Sequence, residues 1–309
     1  MAKVAYVFAG QGAQVIGMGY DFYQSSATVR SLWDRAEAER PGLLSLMFEG
    51  QQQQLDITIN TQPCLFLMDL AAAMLLEAAG QQASGAAGFS LGEIPACCYA
   101  GYLEPLSAFH LTVQRAQAMQ ACSEAHPGRM FAILKLPADT VQQICAKLEQ
   151  AWPANYNSPE QTVVACAWEA AEPLQAAVAA AGGHCLPLAV SGAFHSPLMD
   201  AASVQLSGIL RNTPFNTPRL LLYSNMTGQI YSDPRAMLAG QINHPVLWQH
   251  TIENMLAAGF DSFIELGPGK TLSGLIKKIA PGVQTLQVSD LASLESTVRA
   301  LEELDHAAE

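Results

Sequence analysis

An α/β fold with a parallel sheet is predicted by three stretches that each pass from a short apolar run, through a glycine-containing turn, into a helical pattern. They are Val4 to Ala9 before Gly10-Gln11-Gly12, Ala83 to Ala87 before Gly88-Phe89-Ser90-Leu91-Gly92, and Phe263 to Leu266 before Gly267-Pro268-Gly269. The chain has 309 residues, 50% of them hydrophobic and 14% charged. A chain of that size and composition can bury a large core and divide into about two domains.

Val4 to Ala9 reads as a buried strand, and a helix begins near Tyr20. Thr61 to Ala79 reads as a helix that Thr61 caps and Gly80 ends, with Leu65, Leu70, Ala73, Met74 and Ala78 at helical spacing. Ala83 to Ala87 is a strand feeding the serine turn, and the helix that starts at Ser90 stops near Gly101. Pro105 to Ala121 is helical, with Leu106, Phe109 and Val113 on one stripe and Leu111, Arg115 and Met119 on the next. Between His126 and Val190 the texture changes. Arg129 to Leu136, Gln161 to Ala167 and His184 to Val190 read as strands, and Ala138 to Gln150 and Ala170 to Ala181 as helices. We assign this segment the βαββαβ order of a ferredoxin-like unit, which has one strand more than the three located here. It is expected as an inserted α+β small domain, residues 126–190, within a large α/β domain made of residues 1–125 and 191–309. The chain closes with a strand at Phe263 to Leu266, a helix at Thr271 to Ile279 and an acidic, solvated tail from Glu302.

Composition narrows the function classes. Val4 to Ala9 is too short for a signal peptide, and the longest apolar run, Cys64 to Ala79, is interrupted by Asp69 and Glu77, which argues against a bilayer span. A cytoplasmic protein is expected. The net charge of −12 disfavours nucleic acid and anionic membranes as partners. Seven cysteines with no C-x-x-C pair point to buried thiols in place of a disulfide framework or a zinc site. No metal and no cofactor is expected.

Gly88-Phe89-Ser90-Leu91-Gly92 has the pattern of a nucleophile elbow. A serine on a sharp strand-to-helix turn needs small residues two positions either side, because the chain there passes close to neighbouring strands. The following helix would set Ser90 and the Leu91 N–H at its positive end, where an oxyanion is stabilised. Among seven histidines, His195 stands out in the loop Ser191-Gly192-Ala193-Phe194-His195-Ser196-Pro197, at the junction between the two domains. Arg115 interrupts an apolar helical face. It is either a side chain whose head reaches water or a fixed cation that receives a carboxylate or phosphate.

These residues fall into a series of motifs. Phe8-Ala9-Gly10-Gln11-Gly12-Ala13-Gln14, Gly88-Phe89-Ser90-Leu91-Gly92-Glu93, Asn155-Tyr156-Asn157-Ser158-Pro159, Gly192-Ala193-Phe194-His195-Ser196 and Glu265-Leu266-Gly267-Pro268-Gly269 run in that order, with Arg115 at a set interval after the serine. In this the chain resembles the malonyl-CoA:acyl carrier protein transacylases from about Val4 to Ile279. Phe89 departs from the family's histidine before the nucleophile, and Glu160 stands where glycine is common.

The resemblance implies a large α/β-hydrolase-like domain with a parallel sheet and nucleophile elbow, plus the small ferredoxin-like insertion. It implies that Ser90 carries a malonyl intermediate, that His195 is the general base, and that the Gln11 and Leu91 N–H groups hold the oxyanion. The backbone carbonyl of Leu247 is expected to orient His195. Arg115 would bind the malonyl carboxylate, and Phe194 would border the substrate α-carbon and favour malonyl over methylmalonyl. The implied partners are malonyl-CoA and an acyl carrier protein of fatty-acid or polyketide synthesis, with Lys270, Lys277 and Lys278 as the docking patch. Two other readings stand beside this one. One is a serine esterase or thioesterase of α/β-hydrolase type, using Asp200 or Asp233 with His244 or His250; the other is a non-catalytic carrier-protein-binding module.

Overall fold

The computed structural model describes residues 3–307. Nine strands occur among the described residues: β1 (Val4–Phe8), β2 (Gly85–Gly88), β3 (Gly128–Leu134), β4 (Ala151–Ser158), β5 (Gln161–Ala167), β6 (His184–Pro187), β7 (Leu221–Tyr223), β8 (Ser262–Leu266) and β9 (Gln284–Val288). They form a five-stranded sheet in the order β7-β2-β1-β8-β9 and a four-stranded sheet in the order β4-β5-β3-β6.

Every pairing in the larger sheet is parallel. A parallel sheet is covered by helices on both faces, so its strands read as continuous apolar runs. β1 shows this by alternation: Tyr6 and Phe8 join the main core with Leu91, Ile94 and Tyr99, whereas Ala5 and Val7 face a second cluster with Trp248, Ile252 and Phe263.

The core helix is Thr58–Ala78. By length and composition it could cross a membrane, yet 78% of its apolar stretch is buried inside the fold. It begins ahead of the Thr61 cap expected from sequence, with Ile57 as its N-cap residue. Thr61 instead donates its hydroxyl to the carbonyls of Leu55 and Ile57. Pro63 sits inside this helix and has no N–H to give back to Ile59. The freed Ile59 carbonyl accepts from Arg40 Nη1 at 2.6 Å, which is how the helix tolerates the proline.

The smaller sheet is antiparallel throughout. Phe131 and Ile133 of β3 pack under the helices Ala138–Cys145 and Ala171–Ala180, while Met130 and Ala132 turn to the other face. β4 has no counterpart among the segments picked out from sequence. Its interior holds Pro153 and Asn155, and its pairing with β5 shifts register there, so no alternating pattern survives. The helix expected to reach Gln150 ends at Cys145, and the strand expected to reach Val190 ends at Pro187. β4 also reaches the larger sheet's loops: Tyr156 N–H donates to the Val246 carbonyl, and Val246 N–H to that of Ala154. The acidic stretch from Glu302 is not a loose end but the last turns of the helix Leu291–Ala307, in which Leu301 is buried.

Candidate active site

β2 ends at Gly88, and Ser90 opens a short 3₁₀ turn, Ser90–Gly92, that leads into the helix Glu93–Tyr99. The two glycines are forced by contact. A Cβ at Gly88 would overlap the Gly92 backbone, and one at Gly92 would overlap the Phe8 carbonyl. Ser90 itself has φ 53°, in the left-handed region that non-glycine residues avoid. Asn225 pins it there. Its Oδ1 accepts from Ser90 N–H at 2.7 Å, its Nδ2 donates to the Gly88 carbonyl, and its own N–H donates to Glu93 Oε1 at 2.9 Å.

Ser90 Oγ lies 2.7 Å from His195 Nε2. His195 is buried, has φ 59°, and is anchored by its N–H to the Ile242 carbonyl. Its Nδ1 is 2.8 Å from the Gln241 carbonyl, which can only accept. That fixes the proton on Nδ1 and leaves Nε2 as the acceptor for the serine hydroxyl. Burial, and then the Arg115 charge, push the imidazole down to about 4, against the pull of the Gln241 and His244 backbone. It is therefore a neutral base at pH 7. The orienting carbonyl expected from Leu247 is a correction: Leu247 O accepts from the N–H and Oγ1 of Thr251, at the start of its own helix. The bend of the chain after the helix Pro234–Gly240 turns the Gln241 carbonyl toward the ring instead.

Arg115 is 1% exposed, so it does not reach water. Nη1 donates to Gln62 Oε1 at 2.7 Å, and Nη2 to Gln241 Oε1 at 2.8 Å and Ser90 Oγ at 3.3 Å. Nε has no partner among the described residues. Burial lowers its pKa to about 10, opposed by Glu93, and it stays a cation. Gln241 Nε2 completes the web by donating to the Ser90 carbonyl at 2.8 Å and to Glu93 Oε2 at 2.7 Å. Gln62, Asn225 and Gln241 went unremarked in sequence, and Glu93 was seen only as part of a motif. The available signal was a polar side chain inside an otherwise apolar helix, as at Gln62.

A cleft of about 230 Å³ opens over Ser90 between the two sheets. Gln11 and Phe89 line it from one side, and Met130, Ala132, Asn157 and Val163 from the other, with Phe194 and His195 between. The Gln11 N–H has no acceptor among the described residues. Leu91, directly after the nucleophile, is buried. Phe89, before the nucleophile, packs edge-on against Trp248 at 5.4 Å. Asn157 is buried, its Nδ2 held by Gln161 Oε1 at 3.2 Å and its Oδ1 without a partner among the described residues. Lys270, Lys277 and Lys278 are exposed, whereas Thr271 and Leu275 of the same helix line the cleft. The residues of the esterase reading lie elsewhere. Asp200 accepts from Asn243, Asp233 caps the helix Pro234–Gly240, His244 bonds the Gly240 carbonyl and His250 pairs with Glu253. Among the described residues no carboxylate touches His195.

The fold and the site together define an acyltransferase, and a family model described as an acyl transferase domain matches residues 5–299. The malonyl CoA-acyl carrier protein transacylase of Bacillus subtilis is 34% identical over 313 residues, covering 98% of each chain. The crystal structure of the enzyme of that name from Clostridium perfringens superposes with a TM-score of 0.95 at 33% identity, covering 99% of each chain. A malonyl-transacylase solved in complex with a holo type II polyketide synthase acyl-carrier protein superposes with a TM-score of 0.92 at 32% identity, over 97% of this chain and all of that one. The chain belongs to the malonyl-CoA:acyl carrier protein transacylase family.

Proposed function

We propose that this protein transfers malonyl from malonyl-CoA to the phosphopantetheine thiol of an acyl carrier protein, for fatty-acid or polyketide synthesis, through a malonyl-Ser90 intermediate. The observation that carries the reading is the convergence on one oxygen: Ser90 Oγ meets both a neutral imidazole nitrogen and a buried guanidinium. His195 Nε2 takes the serine proton as Oγ attacks the thioester, and returns it to the departing CoA thiol. Reversal with the carrier's thiol regenerates the enzyme. The Gln11 and Leu91 N–H groups would hold the tetrahedral oxyanion, a contribution of roughly 3 kcal/mol for each such donor. Arg115, held flat by Gln62 and Gln241, presents its fork to the malonyl carboxylate. The free Asn157 Oδ1 is an acceptor for an amide N–H of the thioester arm.

The turn at Ser90 is read as a nucleophile elbow, supported by its positive φ and its enforced glycines. Residues 126–190 are read as a ferredoxin-like domain inserted between 1–125 and 191–309. The strand order β4-β5-β3-β6 with two helices on one face supports that reading. Lys270, Lys277 and Lys278 are the proposed docking patch for the acidic carrier protein, and seven free thiols suit a reducing cytoplasm.

Incubation with malonyl-CoA is expected to add one malonyl mass to the protein, lost in Ser90→Ala, and Arg115→Ala is expected to let acetyl-CoA compete. Transfer without any adduct under rapid quench, measured by intact mass, would sink the mechanism.

A further inference from the structure

Glu93 is the buried titratable group of the site that acyl transfer leaves unused. It is fully buried, as is Arg115, and Arg115 is the one lysine or arginine buried among the described residues. The two are joined through a single amide, with Gln241 accepting from Arg115 and donating to Glu93. The other buried carboxylates, Asp69 and Glu265, neighbour each other, and Glu265 is bonded to the N–H groups of Leu272 and Ser273. Around Glu93 the titratable groups are Arg115 from the helix Pro105–Ala125, Tyr231 from the segment after β7, and Cys97 on its own helix; His195 lies beyond Arg115.

Resting on the malonyl-transfer reading, we propose that Glu93 is the counter-charge of Arg115 in the free enzyme and takes up one proton from solvent when the malonyl carboxylate docks on Arg115. Two buried carboxylates cannot share one guanidinium without a large desolvation cost, so the arriving anion displaces the resident charge by neutralising it. The structure has a place for that proton. Tyr231 is buried with its hydroxyl beside the Glu93 carboxylate, a neighbour that can donate to the carboxylate and, by turning its hydroxyl, accept the hydrogen bond of the carboxylic acid. Burial already raises Glu93 to about 7, with Arg115 among the groups holding it down. Weakening that hold moves it further up, so protons are bound above pH 7, and none are bound where Glu93 is already neutral. The acyl exchange itself is proton-neutral: the Ser90 O–H proton leaves on the CoA thiol, and the proton on Glu93 is additional and comes from water. Glu93 is thus a positioning residue, acting on substrate through Gln241 and Arg115.

The test mixes native enzyme with malonyl-CoA in weakly buffered indicator dye, with the adduct counted by intact mass. At about pH 7.5 an uptake on the order of half a proton or more per adduct is expected, falling toward none at about pH 5.5. Glu93→Gln sets an amide donor against either the Asn225 N–H or Gln241 Nε2, so adduct formation is expected to slow, and the adduct that does form is expected to bring no proton uptake. Adduct without uptake in the native enzyme overturns the inference and leaves the proposed function standing. Absence of any adduct overturns the proposed function itself. Should Glu93→Gln fail to fold, difference infrared spectroscopy of the native enzyme decides. With the malonyl carboxyl carbon-13 labelled, acylation is expected to raise an unlabelled neutral carboxylic-acid band. A missing band, or an imidazolium signal in its place, rejects Glu93.

Discussion

His195 combines an unusual backbone angle with a buried ring, and the second of these sets its pH behaviour. The base must be neutral to act, and burial lowers its pKa from the ordinary 6.5 to about 4. The neutral form therefore persists as pH falls through 6.5 and is lost only near 4. Single-turnover malonylation is expected to hold its rate down to about pH 5, and a half-loss centred on 6.5 would show a solvated imidazole. Phe194 makes a second prediction at this scale. It lines the cleft beside His195, and on the proposed reading an α-methyl on the substrate would compete with it for space. Competition between malonyl-CoA and methylmalonyl-CoA is expected to favour malonyl by about 1–3 kcal/mol, and Phe194→Ser to narrow that gap at least several-fold. An unchanged ratio would remove Phe194 from selection and leave it as packing.

The strand–turn–helix around Ser90 works because neighbouring backbones leave no room for side chains. In Gly92→Ala the new methyl would press on the carbonyls of Phe8, the last residue of β1, and of Ala9, whose N–H is held by the Leu266 carbonyl. A loss of roughly 3 kcal/mol or more is expected in chemical denaturation, together with loss of the Ser90 adduct. Gly274→Ala is the contrast, since that helical position has open space around its Cβ. It is expected to stabilise the protein by about 0.5–1 kcal/mol. Equal effects at the two sites would mean that chain entropy, not contact, governs the turn.

At the scale of the whole molecule the cleft belongs to neither sheet alone. The larger sheet supplies the turn carrying Ser90, the smaller supplies Met130, Ala132 and Val163, and the β4–Val246 backbone bonds tie the two together. Lys277 and Lys278 are exposed on the helix Thr271–Ile279 and Lys270 is exposed at its N-cap, while Thr271 and Leu275 of the same helix line the cleft. On a chain of net charge −12, such a patch would decide where an acidic carrier docks. Lys277→Glu combined with Lys278→Glu is expected to raise KM for the carrier about tenfold, to weaken its salt dependence, and to leave kcat little changed. An unaltered KM for the carrier would move the docking surface elsewhere.

Local chemistry was legible in the chain itself. Ser90 between its glycines, His195 in its loop and Arg115 on an apolar stripe are each marked by a residue type that is out of place in its surroundings, and the structure brings these three together. The alternation of β1 and the periodicity of the long helices were readable for the same reason, because burial on one face imposes a pattern on neighbouring residues. Pattern failed where contact between distant segments decides. β4 keeps its place by pairing despite Pro153, and Pro63 stays helical because Arg40 takes the orphaned Ile59 carbonyl. The carbonyl on His195 belongs to Gln241 and not Leu247, since a backbone oxygen carries no mark of its own in sequence and only the path of the loop aims it. The web of Gln62, Glu93, Asn225 and Gln241 is likewise a product of the tertiary structure. Each is an ordinary polar residue until folding buries it, and burial then requires every donor and acceptor to find its partner.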